Sequence, residues 1–153
     1  MIPPQARGCK PRRRKGRGRY SPVVDEPALP GIGIDLVEVE RFRASLERGG
    51  QAFLDKLFTP GEQADCGGRA DPAPHYAARF AVKEAAMKAL GRGYGQEGVG
   101  FRDFELLKDD GGRPSLRLHG AAAEFARARG LRGLRVSLTH TATSAGAVVL
   151  AEL

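Results

Sequence analysis

The chain has 153 residues, of which 41% are apolar, and a formal net charge of +7 at pH 7. This length suffices for one domain with a hydrophobic core, and no run of about 18 apolar residues that could span a bilayer occurs. Two cysteines, Cys9 and Cys66, are too few for a disulfide framework or a thiolate metal site. We therefore expect a cytoplasmic protein with a single domain and no membrane association.

The positive charge is concentrated in residues 1–30. This segment holds eight Lys or Arg and two acidic residues, whereas residues 31–153 hold 17 and 16. Six prolines and the lack of a periodic apolar pattern predict that residues 1–30 form a disordered basic extension, because too little surface can be buried to offset ordering entropy. A transit peptide or a nucleic-acid-binding arm is less favoured, since Ser21 is the only serine and Tyr20 the only aromatic residue. The folded domain is predicted to be residues 31–153.

The first half of the domain predicts one strand and three helices. Residues 31–37 alternate between apolar and other residues, with Asp35 on the face opposite the isoleucines, which is typical of a strand. Apolar residues three and four positions apart predict a helix over 38–48, ended by Gly49 and Gly50. Thr59 and Glu62 have capping-box spacing and predict a short helix, so we assign Glu62 no catalytic role. Residues 75–90 form the strongest helical pattern, with Gly91 as its stop.

The second half predicts four strands and one helix. Residues 101–107 and 114–118 read as strands joined by a turn at 109–112, and should pair as a hairpin. An alanine-rich helix at 121–129 follows, and then strands at 134–141 and 145–150. The element order β-α-α-α-β-β-α-β-β predicts an α+β fold.

Asp35 and Glu84 are the residues with the most chemical interest. Each has an ordinary explanation, since Asp35 could cap the following helix and Glu84 could pair with Lys88 four residues on. The helix that carries Glu84 is nevertheless lined with alanines, which would let another backbone or a ligand approach closely. If the carboxylates met at about 4 Å, their repulsion would be on the order of 4 kcal/mol at an effective dielectric of 20, and a cation would be required. Ligation by oxygen alone favours Mg²⁺.

Other candidates are weaker when taken alone. A lone histidine such as His140 near a strand end is more often structural than catalytic, and His75 and His119 have less to recommend them. The glycine-rich loop at 91–95 is not a Walker sequence and follows a helix instead of preceding one, so it is a weak signal for phosphate binding.

Four segments taken together resemble one family. They are residues 31–42 (GIGIDLVEVERF), 58–62 (FTPGE), 78–91 (ARFAVKEAAMKALG) and 136–141 (VSLTHT). In sequence and order they resemble holo-(acyl-carrier-protein) synthases, the small single-domain group of the 4′-phosphopantetheinyl transferases. The resemblance covers the chain from Gly31 to the C-terminus.

The resemblance implies an activity and a set of site residues. The activity is Mg²⁺-dependent transfer of 4′-phosphopantetheine from coenzyme A to a serine of apo acyl carrier protein, for fatty acid or polyketide biosynthesis. Asp35 and Glu84 match the metal ligands, and Lys88 would stabilise charge on the leaving bisphosphate. Glu84 or a metal-bound water would take the serine proton. The implied coenzyme A contacts are Arg79, Lys83, Lys88, Gly91, Gly93, His140 and Thr141.

The resemblance also implies partners and assembly. Acyl carrier proteins are acidic, so a basic docking face is expected; our candidates for it are Arg41, Arg43, Arg48 and Lys56. The family is typically homotrimeric, with active-site clefts at the subunit interfaces. Two alternatives remain: a nucleic-acid-binding module with a basic arm, which the nearly neutral domain disfavours, and a non-catalytic nucleotide- or carrier-binding protein on the same fold.

Overall fold

The structure, a computed structural model, describes residues 31–153, so our expectations for the basic extension concern residues outside that range. The predicted order of strands and helices is confirmed, as is the α+β fold class. Two single-turn 3₁₀ helices precede the second strand. The elements are β1 (Ile32–Glu38), α1 (Val39–Leu57), α2 (Pro60–Gly67), α3 (Ala73–Leu90), the 3₁₀ turns Gln96–Gly98 and Phe101–Asp103, β2 (Phe104–Lys108), β3 (Pro114–Leu118), α4 (Gly120–Ala128), β4 (Gly133–His140) and β5 (Ser144–Glu152).

The strands form two antiparallel sheets. One has three strands in the order β1-β5-β4, and the other is the predicted hairpin of β2 and β3. β5 lies in the centre of the larger sheet, where Ala147 pairs with Asp35 on one side and Leu138 on the other. β2 begins at Phe104, three residues later than predicted, because the chain turns at 101–103, where the Asp103 carboxylate accepts a hydrogen bond from the Gly100 amide.

The first helix is longer than the sequence pattern predicted. α1 runs on to Leu57 instead of ending at Gly49 and Gly50. The glycines do interrupt it, since Gly50 has φ 54° and ψ −146°, a conformation that favours glycine. The helix resumes beyond this kink because Phe53 and Leu54 pack against the hydrophobic core.

The two faces of β1 have unexpected environments. The apolar residues Ile32, Ile34 and Leu36 are 69%, 70% and 73% exposed. The opposite face packs on α3 so closely that a Cβ added to Gly31 or Gly33 would lie 1.8 or 1.9 Å from a helix carbonyl oxygen. The expectation that the alanine-lined helix admits a second backbone is therefore confirmed, and that backbone is β1. Asp35, on the same face as the glycines, is brought beside α3.

α3 is the central element of the core. Thirteen of its 18 residues are buried, and it packs across both β1 and β5. Aromatic rings extend the core towards α1, where the Phe42 ring centroid lies 5.3 Å from that of Phe80 and 6.4 Å from that of Phe58. None of the helices within 31–153 is long and apolar enough to cross a bilayer. The fold thus holds α3 between a sheet and an aromatic cluster.

Candidate active site

Asp35 and Glu84 line the same cavity. β1 supplies Asp35 and α3 supplies Glu84, and the cavity between these elements and α1 has a volume of about 420 Å³. Its remaining wall is partly apolar, from Phe42, Phe53 and Phe80. The two carboxylates named from the sequence are therefore brought together, beside an aromatic pocket large enough to take part of a small ligand.

Acidic residues outnumber basic ones in the lining of this cavity, which holds Asp35, Glu38 and Glu84 against Arg41. Burial raises the pKa of Glu84, the negative charge of Asp35 raises it further, and Lys88 opposes both effects. Lys88 bonds to the other carboxylate, with its Nζ 2.8 Å from Asp35 Oδ1 and 2.9 Å from the carbonyl oxygen of Ile34. Burial and the neighbouring carboxylate thus both disfavour the ionised form of Glu84, and a bound cation would favour it.

The ordinary explanations for these residues do not hold. The residue at the N-cap of α1 is Glu38, not Asp35, and it makes no side-chain capping hydrogen bond. Lys88 forms its ion pair with Asp35 instead of with Glu84. The geometry therefore favours a functional reading of both carboxylates.

The donor set fits a cation that shares its ligands with a phosphorylated molecule. No cluster of three or more Asp, Glu, His or Cys side chains placed to hold a metal occurs in residues 31–153. Asp35 and Glu84 supply two carboxylates only, which is typical of Mg²⁺ sites, because Mg²⁺ retains waters and binds ligand phosphates. Asp35 and Glu84 thus fit a Mg²⁺ ion whose remaining ligands come from outside the chain.

Lys83 does not reach this cavity. Its side chain is 0% exposed, and its ammonium donates to Glu62 Oε2 at 2.8 Å, to the Phe101 carbonyl at 3.0 Å and to the Phe104 carbonyl. An ammonium has three N–H groups, and all three are used. The expectation that Lys83 binds phosphate is therefore wrong for this structure. The predicted capping box is confirmed, with Glu62 accepting from the Thr59 amide at 3.0 Å.

A second cavity lies near the start of α3. It has a volume of about 240 Å³, and its lining includes His75, Arg79, Lys108 and His140. The imidazole rings of His75 and His140 are 5.1 Å apart, edge to face. Burial lowers the pKa of His75, as do the nearby positive groups. This cavity has the charge that suits an anion.

Arg79 strengthens that reading. It is only 3% exposed, and its two terminal nitrogens bond to the Asp65 carboxylate and the His75 carbonyl. Its Nε is buried and finds no hydrogen-bond partner among residues 31–153. Arg79 and His140, both named from the sequence, thus lie in the same cavity. That cavity is separate from the one lined by Asp35 and Glu84, since His75 lies nine residues before Glu84, about 13 Å along the helix. Sequence patterns offer little reason to select His75 and none to select Lys108.

The polar groups of the glycine-rich loop and of Thr141 are largely used locally. Gly91 ends α3 with φ 65°, and the amide of Gly93 donates to Gln96 Oε1 at 2.9 Å. The Thr141 hydroxyl accepts from the amides of residues 143 and 144 in the turn before β5. The Gly93 amide and the Thr141 hydroxyl therefore form hydrogen bonds within the chain in this conformation.

The basic candidates on α1 have different surroundings. Arg41 lines the cavity that contains Asp35 and Glu84, called the acidic cavity below. Arg48 lies on the same exposed face of the helix. Arg43 instead bonds to both carboxylate oxygens of Asp71, at 2.8 and 2.9 Å, and lowers the pKa of Asp71 to about 2. Lys56 lies beyond the kink, with its Nζ 5.3 Å from the centre of the Tyr94 ring. Arg41 and Arg48 are the best placed of the four to meet a partner.

Comparisons with known proteins agree on one family. Residues 31–139 match the model of the 4′-phosphopantetheinyl transferase superfamily. Holo-[acyl-carrier-protein] synthases from Syntrophus aciditrophicus and Solibacter usitatus are 47% and 45% identical to this chain, over 80% and 81% of it and 94% and 98% of their own lengths.

Solved structures give the same answer. The holo-[acyl-carrier-protein] synthase of Neisseria meningitidis superimposes with a TM-score of 0.74 at 31% identity, covering 80% of this chain and 98% of its own. That of Helicobacter pylori, solved in complex with coenzyme A, gives 0.70 at 31% identity, covering 79% and 99%. The similarity extends over nearly the whole of each related protein.

Proposed function

The chain belongs to the 4′-phosphopantetheinyl transferase superfamily, as a holo-(acyl-carrier-protein) synthase, and we propose that Asp35 and Glu84 hold the Mg²⁺ on which its reaction depends. The enzyme transfers 4′-phosphopantetheine from coenzyme A to a serine of apo acyl carrier protein. This activity excludes the nucleic-acid-binding and non-catalytic alternatives as the main function. The observation that carries the metal proposal is the raised pKa of Glu84 beside Asp35 in one cavity.

The reaction exchanges a phosphoanhydride bond of coenzyme A for a phosphate ester bond to serine. The serine oxygen forms a bond to the phosphorus that carries the pantetheine arm, and the bond from that phosphorus to adenosine 3′,5′-bisphosphate breaks. Mg²⁺, when bound, neutralises and polarises the pyrophosphate. Lys88 lies within 2.8 Å of Asp35, so its ammonium is placed to stabilise charge on the departing bisphosphate. The serine proton goes to Glu84 or to a water.

We propose that the nucleotide end of coenzyme A binds in the second cavity, near the start of α3, called the basic cavity below. Arg79 and His140 line it together with Lys108 and His75, and this basic lining supports an anion as its occupant. Residues that line this cavity and those that line the acidic cavity do not overlap. We therefore propose that the basic cavity of one subunit faces the acidic cavity of its neighbour, so that one coenzyme A contacts both.

This arrangement requires an assembly, and the exposed face of β1 supports one. Ile32, Ile34 and Leu36 lie beside the half-exposed Val148 and Leu150 of β5, which makes one apolar sheet surface. A contiguous apolar surface of this kind is typical of a subunit interface. We propose a homotrimer in which these sheet faces are buried.

The carrier protein is proposed to dock on the N-terminal half of α1. Arg41 lies at the mouth of the acidic cavity, so an acidic partner bound there would present its serine to the site. Arg48 extends the basic face, whereas the bidentate pair with Asp71 removes Arg43 from it. The carrier would belong to fatty acid or polyketide biosynthesis.

Intact-mass spectrometry of apo acyl carrier protein tests the proposal. Incubation with the full chain, coenzyme A and Mg²⁺ should add one phosphopantetheine group to the carrier, and a chelator should prevent the addition. Carrier that gains no mass would contradict the activity. A gain that persists without divalent metal would contradict the Mg²⁺ site and leave the activity standing.

A further inference from the structure

We propose that Glu62 and Lys83 are positioning residues for Glu84, through a buried clamp that sets the rotation of α3. The proposal rests on the metal-binding role of Glu84 given above. It assigns a role in the reaction to two fully buried residues, although their sequence context indicates only a helix cap for Glu62 and a phosphate ligand for Lys83.

The clamp is a closed network of charges and backbone groups. Both side chains are fully buried, and Lys83 Nζ lies 2.8 Å from Glu62 Oε2. Glu62 also accepts from the amide of Thr59 at 3.0 Å and from the amide of Leu106 at 3.1 Å. Lys83 donates its other two hydrogens to the carbonyls of Phe101 and Phe104. One helical residue is thereby joined to α2, to the turn before β2 and to β2 itself.

The position of the clamp determines where Glu84 points. Consecutive helical residues differ by about 100° around the axis, so fixing the direction of Lys83 fixes that of its neighbour Glu84. The contact of Gly31 and Gly33 with α3 sets the distance between β1 and the helix, and hence between Asp35 and Glu84. The glycine contact and the clamp are complementary: the first fixes separation, and the second fixes rotation.

Stability alone does not explain a charged pair at this position. A buried ion pair is seldom more stabilising than apolar residues of similar volume, because two charges must be removed from water. Its hydrogen bonds are directional, however, whereas an apolar contact permits rotation and sliding. Metal ligands depend on such supporting contacts, and loss of one commonly weakens metal affinity by about 10- to 100-fold.

The variant Lys83→Met tests the clamp while keeping a long, unbranched side chain. We expect the dissociation constant for Mg²⁺, measured by calorimetric titration at saturating coenzyme A without carrier protein, to rise by about 10-fold or more, and the Mg²⁺ concentration for half-maximal transfer to rise with it. Leu118→Ala is the control, because it removes a partly buried core side chain on β3 that makes none of the clamp contacts. Circular dichroism melting of both variants shows how much stability each has lost, so that metal response can be compared at equal folded fraction.

A second variant keeps the test decisive if the unpaired Glu62 prevents folding. Glu62→Gln/Lys83→Met removes both charges, so no uncompensated charge stays buried. The same rise in half-saturating Mg²⁺ is expected. Variants that are folded and keep the wild-type Mg²⁺ response would overturn the proposal, as would an equal rise in Leu118→Ala. Glu84→Gln separates the two claims: if its Mg²⁺ response is also unchanged, the metal assignment itself fails.

Discussion

Two pairs of charged side chains each include one residue of α3. They differ in how completely other groups of the chain supply partners for their charges. Glu62 and Lys83 have opposite charges, are fully buried, and find a partner for each donor of the ammonium. Asp35 and Glu84 have like charges at the edge of a cavity, and the pKa of Glu84 is raised. A pair completed within the chain is structural, whereas a pair left with excess charge indicates a ligand from outside.

The contrast also separates neighbours in sequence. Lys83 and Glu84 are adjacent, yet one faces the core and the other the cavity. A motif of charged residues on one helix therefore need not act as a unit on the ligand. Here one residue holds the helix, and the next residue uses the orientation that results.

Of the substitutions proposed here, Glu84→Gln in the acidic pair should reduce the transfer rate most. Removing the carboxylate charge should lower the transfer rate by at least about 100-fold, the scale of losing one electrostatic contact to the reacting groups. The rate is measured by the mass gain of the carrier protein. Glu124→Gln, at an exposed position of α4, is the matched control and should keep full activity. Full activity in Glu84→Gln would remove the two-carboxylate site.

Ile34→Glu tests whether the sites need neighbouring subunits. A charge in the centre of the exposed apolar face should prevent close contact between sheets, so light scattering should give the monomer mass. Transfer should then fall by about 10-fold or more, because the basic and acidic cavities would no longer meet. Ala52→Glu, on an exposed part of α1, makes the same charge change elsewhere and should leave the assembly intact. A wild-type chain that is already monomeric would contradict the trimer.

Reversing the charge of Arg41 and Arg48 should have a smaller and more selective effect. Arg41→Glu/Arg48→Glu should raise the Michaelis constant for carrier protein by about 10-fold and leave that for coenzyme A unchanged, because steering by charge is lost. The effect should shrink as salt is added. Arg127→Glu/Arg132→Glu carries the same change in charge on another exposed region. If this control raises the constant equally, docking on α1 is wrong.

The smallest expected effect concerns stability as a function of pH. The folded-state pKa of Glu84 is raised, so the native protein holds this proton more tightly than the unfolded chain does. Without metal, the free energy of unfolding should therefore decrease as pH rises from the unfolded pKa through the folded one. Asp35→Asn removes the second cause of the shift and should reduce this decrease, although burial keeps part of it. Urea denaturation at several pH values measures both slopes, and identical slopes would show that the carboxylates do not interact.

The sequence predicted well what depends on local pattern. Capping at Thr59, the stop at Gly91 and the turn at 109–112 all follow from residues close in sequence, and they fix the order of elements. The convergence of Asp35 with Glu84 followed from the family motifs, because neither residue type nor spacing alone excluded the ordinary explanations.

The sequence predicted less of what depends on distant contacts. Lys83 bonds to Glu62, which is 21 positions away in the sequence, and to two distant backbone carbonyls. No local signal distinguishes such a lysine from a phosphate ligand. Alternation in β1 predicted two faces but not their environments, which follow from the fit of Gly33 against α3. His75 joined His140 only through the packing of α3 on the sheet.

The central claim is that Asp35 and Glu84 together hold Mg²⁺ against coenzyme A. The most direct test is a pH titration of the Glu84 side-chain carboxyl by ¹³C NMR, with and without Mg²⁺ and coenzyme A. A cation bound between the carboxylates favours the ionised form, so the pKa of Glu84 should fall from its raised value when both are present. A pKa that stays raised at saturating Mg²⁺ and coenzyme A would contradict the account.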